Sequence, residues 1–123
     1  MVTHLKETIE KIFENKNFIL NNKESIEAIE ETIALLDKGE LRVASPSENG
    51  KWTTHEWIKK AILLYFMIKE MKQYALPPFE FHDKIPLKKD YAKRGIRVVP
   101  HAIARYGSYI APGVVMMPSY VNI

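Results

Sequence analysis

The sequence predicts an α+β protein, in which a mainly helical N-terminal domain (residues 1–100) is followed by the start of a β-helix (residues 101–123). Apolar residues recur at helical spacing in three stretches before Lys72. Near the C-terminus, apolar and turn-forming positions instead repeat every six residues. The 123 residues leave room for one core of ordinary size, and 46% hydrophobic and 27% charged residues are typical of a globular protein.

Residues 1–40 predict two amphipathic helices. The first is expected to be capped by the hydroxyl of Thr3, and its apolar face comprises Leu5, Ile9, Ile12 and Phe13. The second follows the polar pair Asn21–Asn22 and ends before Gly39, where a left-handed C-terminal cap is expected. Its apolar residues are Ile26, Ile29, Ile33 and Leu36.

A short hairpin and a third helix are predicted next. Residues 41–44 alternate in polarity, and the turn-forming cluster at 45–50 then leads back to Trp52. The stretch Thr53-Thr54-His55-Glu56 has the form of a capping box and predicts a helix that runs to about Lys72. Its core-facing residues are Trp57, Ala61, Leu64, Tyr65 and Ile68. The pair Pro77–Pro78 is expected to end this run.

The remaining third of the chain predicts short extended segments. Residues 79–87 are expected to be extended, residues 88–94 to form a helical turn, and Gly95 to lead into the segment 96–100. Two six-residue series follow, and turn residues accompany them at the same phase. The series are Tyr109, Val115 and Val121, and Ala111, Met117 and Ile123. This period is typical of a hexapeptide β-helix, in which three short strands form each triangular coil. An irregular C-terminal tail is the alternative.

Composition disfavours several classes of protein. The chain has no cysteine, so disulfides, thiolate nucleophiles and cysteine metal sites are absent from it, and the four histidines lack the spacing of a helical metal pair. No apolar run approaches the ~20 residues that span a bilayer. The N-terminus has no apolar segment after its charges. We therefore expect no metal, no membrane span and no secretion signal, and a cytoplasmic protein.

Basic residues are dense between Lys84 and Arg105. They comprise Lys84, Lys88, Lys89, Lys93, Arg94, Arg97 and Arg105, and two aspartates accompany them. Such a cluster favours an anionic partner, which could be nucleic acid, a phosphorylated cofactor or a small dicarboxylate. A solvated basic face that binds nothing is the alternative.

Three separated motifs resemble one enzyme family. They are residues 52–61 (WTTHEWIKKA), 97–100 (RVVP) and 117–123 (MPSYVNI), and they occur in the order found in tetrahydrodipicolinate N-succinyltransferases of bacterial lysine and diaminopimelate biosynthesis. Weaker agreement extends over residues 34–37, 41–44 and 83–86. The resemblance implies a helical domain followed by the first coil of a left-handed parallel β-helix of the hexapeptide-repeat acyltransferase type, assembled as a homotrimer.

The resemblance also implies a reaction and its substrates. A succinyl group passes from succinyl-CoA, the co-substrate, to the amino group of L-2-amino-6-oxopimelate, which derives from tetrahydrodipicolinate, and no covalently bound cofactor is needed. In the family the arginine of the RVVP motif binds a substrate carboxylate, and that arginine is Arg97 here. Ser119, Tyr120 and Asn122 are expected to line the pocket. The alternatives are a surface salt bridge for Arg97 and packing or turn roles for the other three.

No catalytic residue is expected within this chain. Trp52, His55 and Trp57 resemble a site, but local hydrogen bonding and packing explain such a group more often than catalysis does. The resemblance places the family's acidic residue and most of the CoA groove after the VNI motif. We therefore expect the chain to be the N-terminal part of such an enzyme and to be inactive alone. An interaction module using the edge formed by residues 109–123, or non-specific nucleic-acid binding by the basic cluster, remain alternatives.

Overall fold

Three helices and eight short strands make up the part of the chain that the computed structural model describes, residues 2–15 and 22–123. The helices are α1 (Val2–Glu14), α2 (Lys23–Lys38) and α3 (Glu56–Ile68). The strands are β1 (Ala44–Pro46), β2 (Trp52–Thr54), β3 (Lys72–Leu76), β4 (Phe79–Asp83), β5 (Arg97–Val98), β6 (Ile103–Ala104), β7 (Val115–Met116) and β8 (Tyr120–Val121). The chain is therefore α+β, as predicted.

The three helices pack on one another around a common apolar core. Their predicted apolar faces are largely buried, and Ile9, Ile29, Ile33, Ala61 and Leu64 are fully enclosed. Spacings of three and four residues place these side chains on one face of each helix, so the helical period dictated which residues meet. Removing this apolar surface from water is the main stabilising term of the region.

The helix ends differ in how well they were predicted. Gly39 adopts the left-handed conformation (φ +79°) and its N–H donates to the carbonyl of Leu36, so the predicted C-cap is confirmed. The Asn22 side chain caps α2 by accepting from the N–H of Glu24 at 3.0 Å, while Asn21 lies outside the described residues. The Thr3 cap is wrong, because α1 begins at Val2 and Thr3 lies within its first turn.

The predicted capping box before α3 is also wrong. Thr53 lies in β2, where it pairs with Ser45, and the N-cap residue of α3 is His55. No side chain caps the helix there: the His55 ring instead lies 2.8 Å from the Ser45 hydroxyl through Nε2. The local pattern assigned Thr53 and Thr54 to the helix start, but both residues lie in β2 because they pair with β1.

Two antiparallel hairpins flank α3. The predicted hairpin exists as β1 paired with β2, but its first strand is Ala44–Pro46 and not residues 41–44, so part of the predicted turn is strand. The second hairpin corrects the predicted end of α3: the helix ends at Ile68, and Lys72 already belongs to β3, which pairs with β4. Pro77–Pro78 forms the turn between these strands and does not terminate a helix. Beyond β4, Leu87 pairs with Arg105 in a single bridge, and a turn over residues 91–95 overlaps the second half of the helical turn predicted for residues 88–94.

The last four strands pair in parallel. Arg97 of β5 lies opposite Val115 of β7, and Ile103 of β6 lies opposite Tyr120 of β8. The partners are thus eighteen and seventeen residues apart along the chain. Each strand of this region has two residues, and turns or bends separate successive strands.

A second, smaller core lies among these parallel pairs. Side chains at six-residue intervals point into it, namely Val98, Ala104, Ile110 and Met116, together with Ile96 and Val121. Of the predicted series, Tyr109 and Val115 are exposed, whereas the third member, Val121, packs against this core. Neighbouring residues of an extended strand face opposite sides, so Val115 is exposed while Met116, the next residue, is buried.

None of the helices over residues 2–15 and 22–123 combines the length and apolar character needed to cross a bilayer.

Candidate functional site

The basic segment from Lys84 to Arg105 is mostly committed to contacts within the chain. Lys84 donates to the carbonyl of Phe66, and Lys88, Arg94 and Arg105 form ion pairs with aspartates. Lys93 contacts Asp90 at 3.8 Å in a fully solvated pair, which contributes little. The segment therefore presents fewer free cations than its composition suggests, which weakens the nucleic-acid alternative.

Asp37 accepts several of these hydrogen bonds at once. It lies in the last turn of α2, and its carboxylate accepts from Lys88 Nζ at 2.7 Å, Arg94 Nη2 at 2.7 Å and the Gly107 N–H at 3.1 Å. Lys88 also donates to the carbonyl of Ser108 at 2.7 Å. These bonds join the end of α2 to the segments on both sides of β5 and β6. We call Asp37, Lys88 and Arg94 the buried charge cluster.

The buried charge cluster is satisfied by hydrogen bonds as well as by charge. Asp37 and Lys88 are 2% and 3% exposed, so both charges have left water almost completely. Burial by itself raises the pKa of Asp37, but the hydrogen bonds from Lys88, Gly107 and Arg94 and the charge of Lys88 outweigh it and hold that pKa below 3.8, its ordinary value. Asp37 is therefore ionised at neutral pH.

A second ion pair joins β4 to the end of β6. Arg105 Nη2 donates to Asp83 Oδ2 at 2.9 Å, and Arg105 Nη1 donates to Asn122 Oδ1 at 3.2 Å. The guanidinium also lies over the rings of Phe66 and Tyr120, at 5.4 and 5.9 Å from their centres. Arg105 thus links three separate segments at the surface.

Arg97 differs from the other arginines of the basic segment. Its backbone N–H donates to the carbonyl of Val114 at 3.0 Å, which fixes the strand, while its side chain is exposed. Among the described residues, the Arg97 guanidinium has no ion-pair or hydrogen-bond partner. The alternative of a surface salt bridge is therefore not realised there. A guanidinium left free in this way can bind a carboxylate through two parallel hydrogen bonds.

The other three predicted site residues lie on a different strand pair. Ser119, Tyr120 and Asn122 lie in or beside β8, which pairs with β6, whereas Arg97 lies on β5, which pairs with β7. Ser119 donates its hydroxyl to the carbonyl of Met117 at 2.6 Å, a turn contact. Tyr120 and Asn122 are exposed and adjoin Arg105. The structure therefore brings Tyr120 and Asn122 together with Arg105, and it does not bring them together with Arg97.

The group Trp52, His55 and Trp57 is dispersed by the fold. Trp57 is buried in the helical core, and Trp52 is 70% exposed on β2. The His55 ring is bonded to Ser45 and, in the described residues, to no carboxylate, so it lacks the partner that would orient a catalytic imidazole. Likewise, no cluster of three or more histidine, aspartate or glutamate side chains suited to a metal ion occurs over residues 2–15 and 22–123.

Sequence reasoning missed the contacts of Asp37 and the contact of Arg105 with Asn122. A signal for Asp37 exists: it is an acidic residue in the last turn of a helix, where the helix dipole disfavours negative charge, and it follows directly on the apolar pair Leu35–Leu36. A carboxylate in that position needs cationic partners from elsewhere. The sequence carries no comparable signal for the pairing of Arg105 with Asn122.

Comparison with known proteins identifies the family. A family model described as "Tetrahydrodipicolinate N-succinyltransferase N-terminal" matches residues 4–68. A relative from Bordetella petrii named 2,3,4,5-tetrahydropyridine-2,6-dicarboxylate N-succinyltransferase is 46% identical across the whole chain, which covers 48% of that relative. Relatives of the same name from Coxiella burnetii and Variovorax paradoxus are 49% and 41% identical.

The chain spans about half the length of these curated relatives. Its match to the family model covers more than half of its own residues, including all of α2 and α3. It follows that the chain belongs to the tetrahydrodipicolinate N-succinyltransferase family.

Proposed function

We propose that this chain is the N-terminal, dicarboxylate-binding part of a succinyl-CoA-dependent N-succinyltransferase that acts on tetrahydrodipicolinate in lysine and diaminopimelate biosynthesis. The observation that carries the proposal is the free guanidinium of Arg97 in the RVVP motif, in a segment where Lys88, Arg94 and Arg105 are paired internally. The names of the relatives support the reaction.

Arg97 holds one carboxylate of the acyclic substrate in this proposal. A guanidinium stays charged at any working pH and matches a carboxylate with two donors, so it anchors the substrate while the distant amino group remains free to react. The amine attacks the thioester carbonyl of succinyl-CoA, a proton leaves the nitrogen, and the CoA thiolate departs. Proton removal and stabilisation of the oxyanion need further groups. We propose that these lie in the part of the enzyme that follows the VNI motif in the family, and that the chain alone is therefore inactive.

We further propose that residues 101–123 begin a left-handed parallel β-helix and residues 1–100 form the domain before it. Parallel pairing at offsets of eighteen and seventeen residues supports this proposal, since three hexads complete one coil, and so does the six-residue series of buried side chains. The proposed boundary falls between β5 and β6. A homotrimer, a cytoplasmic location, and the absence of nucleic-acid, membrane, metal and covalent-cofactor partners complete the proposal.

The experiment joins residues 1–123 to the C-terminal half of the Bordetella petrii relative and measures CoA release with a thiol reagent, using L-2-aminopimelate as the amine. Arg97→Ala is expected to raise KM for the amine about 10- to 100-fold, because a charge-assisted bidentate contact is lost. The matched control is Lys89→Ala, an exposed cation of the same segment, which should leave KM unchanged. Equal KM values for the two variants contradict the role of Arg97. Turnover by residues 1–123 alone contradicts the proposed inactivity.

A further inference from the structure

The side-chain amide of Asn122 is held in one orientation by Arg105. An arginine can only donate hydrogen bonds, so the atom of Asn122 that lies 3.2 Å from Arg105 Nη1 must be the carbonyl oxygen Oδ1. This contact decides which end of the amide faces the protein. The amide nitrogen Nδ2 therefore points away from Arg105.

Arg105 is itself firmly placed. Its second terminal nitrogen donates to Asp83 Oδ2 at 2.9 Å, and its backbone N–H donates to the carbonyl of Val121 at 2.9 Å. Its side chain is 17% exposed and its guanidinium covers the ring of Phe66. Turning Arg105 away from Asn122 would break the planar arrangement that serves both Asp83 and Asn122.

The free end of the Asn122 amide presents two N–H donors at the surface. Asn122 is exposed, and in the described part of the chain its Nδ2 group has no hydrogen-bond partner. Tyr120 lies two residues earlier, on the same side of the strand, and its exposed ring borders the Arg105 guanidinium. The surface thus combines two oriented N–H donors with an aromatic face.

We propose that Asn122 binds an acyl oxygen of a ligand, either a carboxylate or a carbonyl oxygen, and that Arg105 and Asp83 are positioning residues for this contact. Such an oxygen accepts hydrogen bonds and donates none. It therefore suits the Asn122 amide, whose acceptor Oδ1 already binds Arg105 and whose Nδ2 can only donate. Asp83 balances the charge of Arg105, so the surface accepts a charged or a neutral oxygen. The inference rests on the proposed function, in which the succinyl group carries both kinds of oxygen.

The test uses the 123-residue chain labelled with ¹⁵N and follows the Nδ2 proton signals of Asn122 by NMR. Succinate is the carboxylate probe and succinamide is the neutral carbonyl probe. We expect saturable shifts of the Asn122 signals with at least one probe, and the probe that binds identifies the kind of oxygen. Asn122→Asp replaces the donors by acceptors and should weaken binding of that probe at least about tenfold.

Asn49 provides the matched control. It is an exposed asparagine whose Oδ1 accepts from Ser47 and Lys51, so its amide is also oriented. It lies in the turn between β1 and β2 and, among the described residues, has no arginine or aromatic partner. Asn49→Asp introduces the same charge and should leave binding of both probes unchanged. An equal loss in both variants overturns the proposal, because it assigns the effect to charge alone.

The positioning role is tested with Arg105→Lys, which keeps the charge but cannot reach Asp83 and Asn122 through one planar group. The Asn122 amide signals should move in the absence of any ligand, and binding should weaken about threefold. If this variant does not fold by circular dichroism, Asn122→Asp still carries the test. Absence of binding by the wild-type chain, or unchanged binding by Asn122→Asp, overturns the inference. The enzyme that joins residues 1–123 to the C-terminal half of the relative distinguishes failure of this inference from failure of the proposed function. If Arg97→Ala raises KM there and Asn122→Asp does not, the inference fails and the proposed function stands.

Discussion

The helical region and the paired strands of residues 96–123 bury their apolar side chains in different ways. The helices enclose large residues from three elements, including Ile9, Ile29 and Leu64. The small core of the strand region has four buried apolar side chains, and Met117 and Tyr120 stay on the surface. Short strands of two residues cannot cover an apolar face as helices of thirteen to sixteen residues do.

The strand region therefore depends on the helices for its position. Two contacts provide this support: the buried charge cluster, centred on Asp37 at the end of α2, and the Tyr109 ring, which lies between Gly39 and the guanidinium of Arg42. Ile123 also packs on the helical core. We therefore expect the junction to contribute more than the small core to holding β5 and β6 in place.

The largest expected effect comes from breaking the junction with Asp37→Asn. This variant leaves Lys88 and Arg94 buried or half-buried without a counter-charge, and we expect the free energy of unfolding to fall by about 3–5 kcal/mol, measured by urea unfolding followed by circular dichroism. The control is Asp90→Asn, an exposed aspartate at φ +61° that asparagine also tolerates, with an expected loss of at most about 0.5 kcal/mol.

The same pair of variants has a pH signature. Because the folded-state pKa of Asp37 is lowered, its stabilising contribution is complete above its ordinary pKa of 3.8 and is lost as the pH falls through the folded-state value. The wild-type chain and Asp90→Asn should share this loss in acid, and Asp37→Asn should lack that part of it. A parallel acid dependence in all three proteins would show that Asp37 does not carry the junction.

The next effect sharpens the contrast between the two regions. Leu64→Ala opens a cavity in the helical core and should lower the free energy of unfolding by about 2–5 kcal/mol. Met117→Ala removes an exposed side chain and should change it by no more than about 0.5 kcal/mol. Thermal and urea unfolding measure both. A comparable loss for Met117→Ala would mean that its surface is covered in solution.

The smallest effect probes the Tyr109 contact. A Cβ added at Gly39 meets the Tyr109 ring at 2.5 Å, while one added at Gly50 meets nothing within 4 Å, and both glycines have positive φ. Both alanine variants carry the same backbone strain. The free energy of unfolding should therefore fall by about 1 kcal/mol more in Gly39→Ala than in Gly50→Ala, because the Tyr109 ring must be displaced. Equal losses in urea unfolding would show that Tyr109 adds nothing to the junction.

The sequence alone determined the helices and the six-residue period. Their apolar positions follow local geometry, so Leu5, Ile29 and Leu64 could be assigned to a core, and Gly39 to a cap, without any knowledge of neighbours. The motifs also identified the family. Local patterns were wrong where two outcomes competed for the same residues, as at Thr53 and at Lys72, because strand pairing depends on a partner that the local pattern does not include.

The tertiary structure alone decided which charges are free. The RVVP motif singles out Arg97 in the sequence, but nothing there shows that it is free or that Lys88, Arg94 and Arg105 are paired. Those three pair with aspartates that are 22 to 57 residues away along the chain, and Arg97 has no such partner among the described residues. The tertiary structure also decided which members of the six-residue series are buried and how the Asn122 amide is oriented. Each of these properties depends on which distant atoms come within hydrogen-bonding or packing distance, and that information is created by the fold.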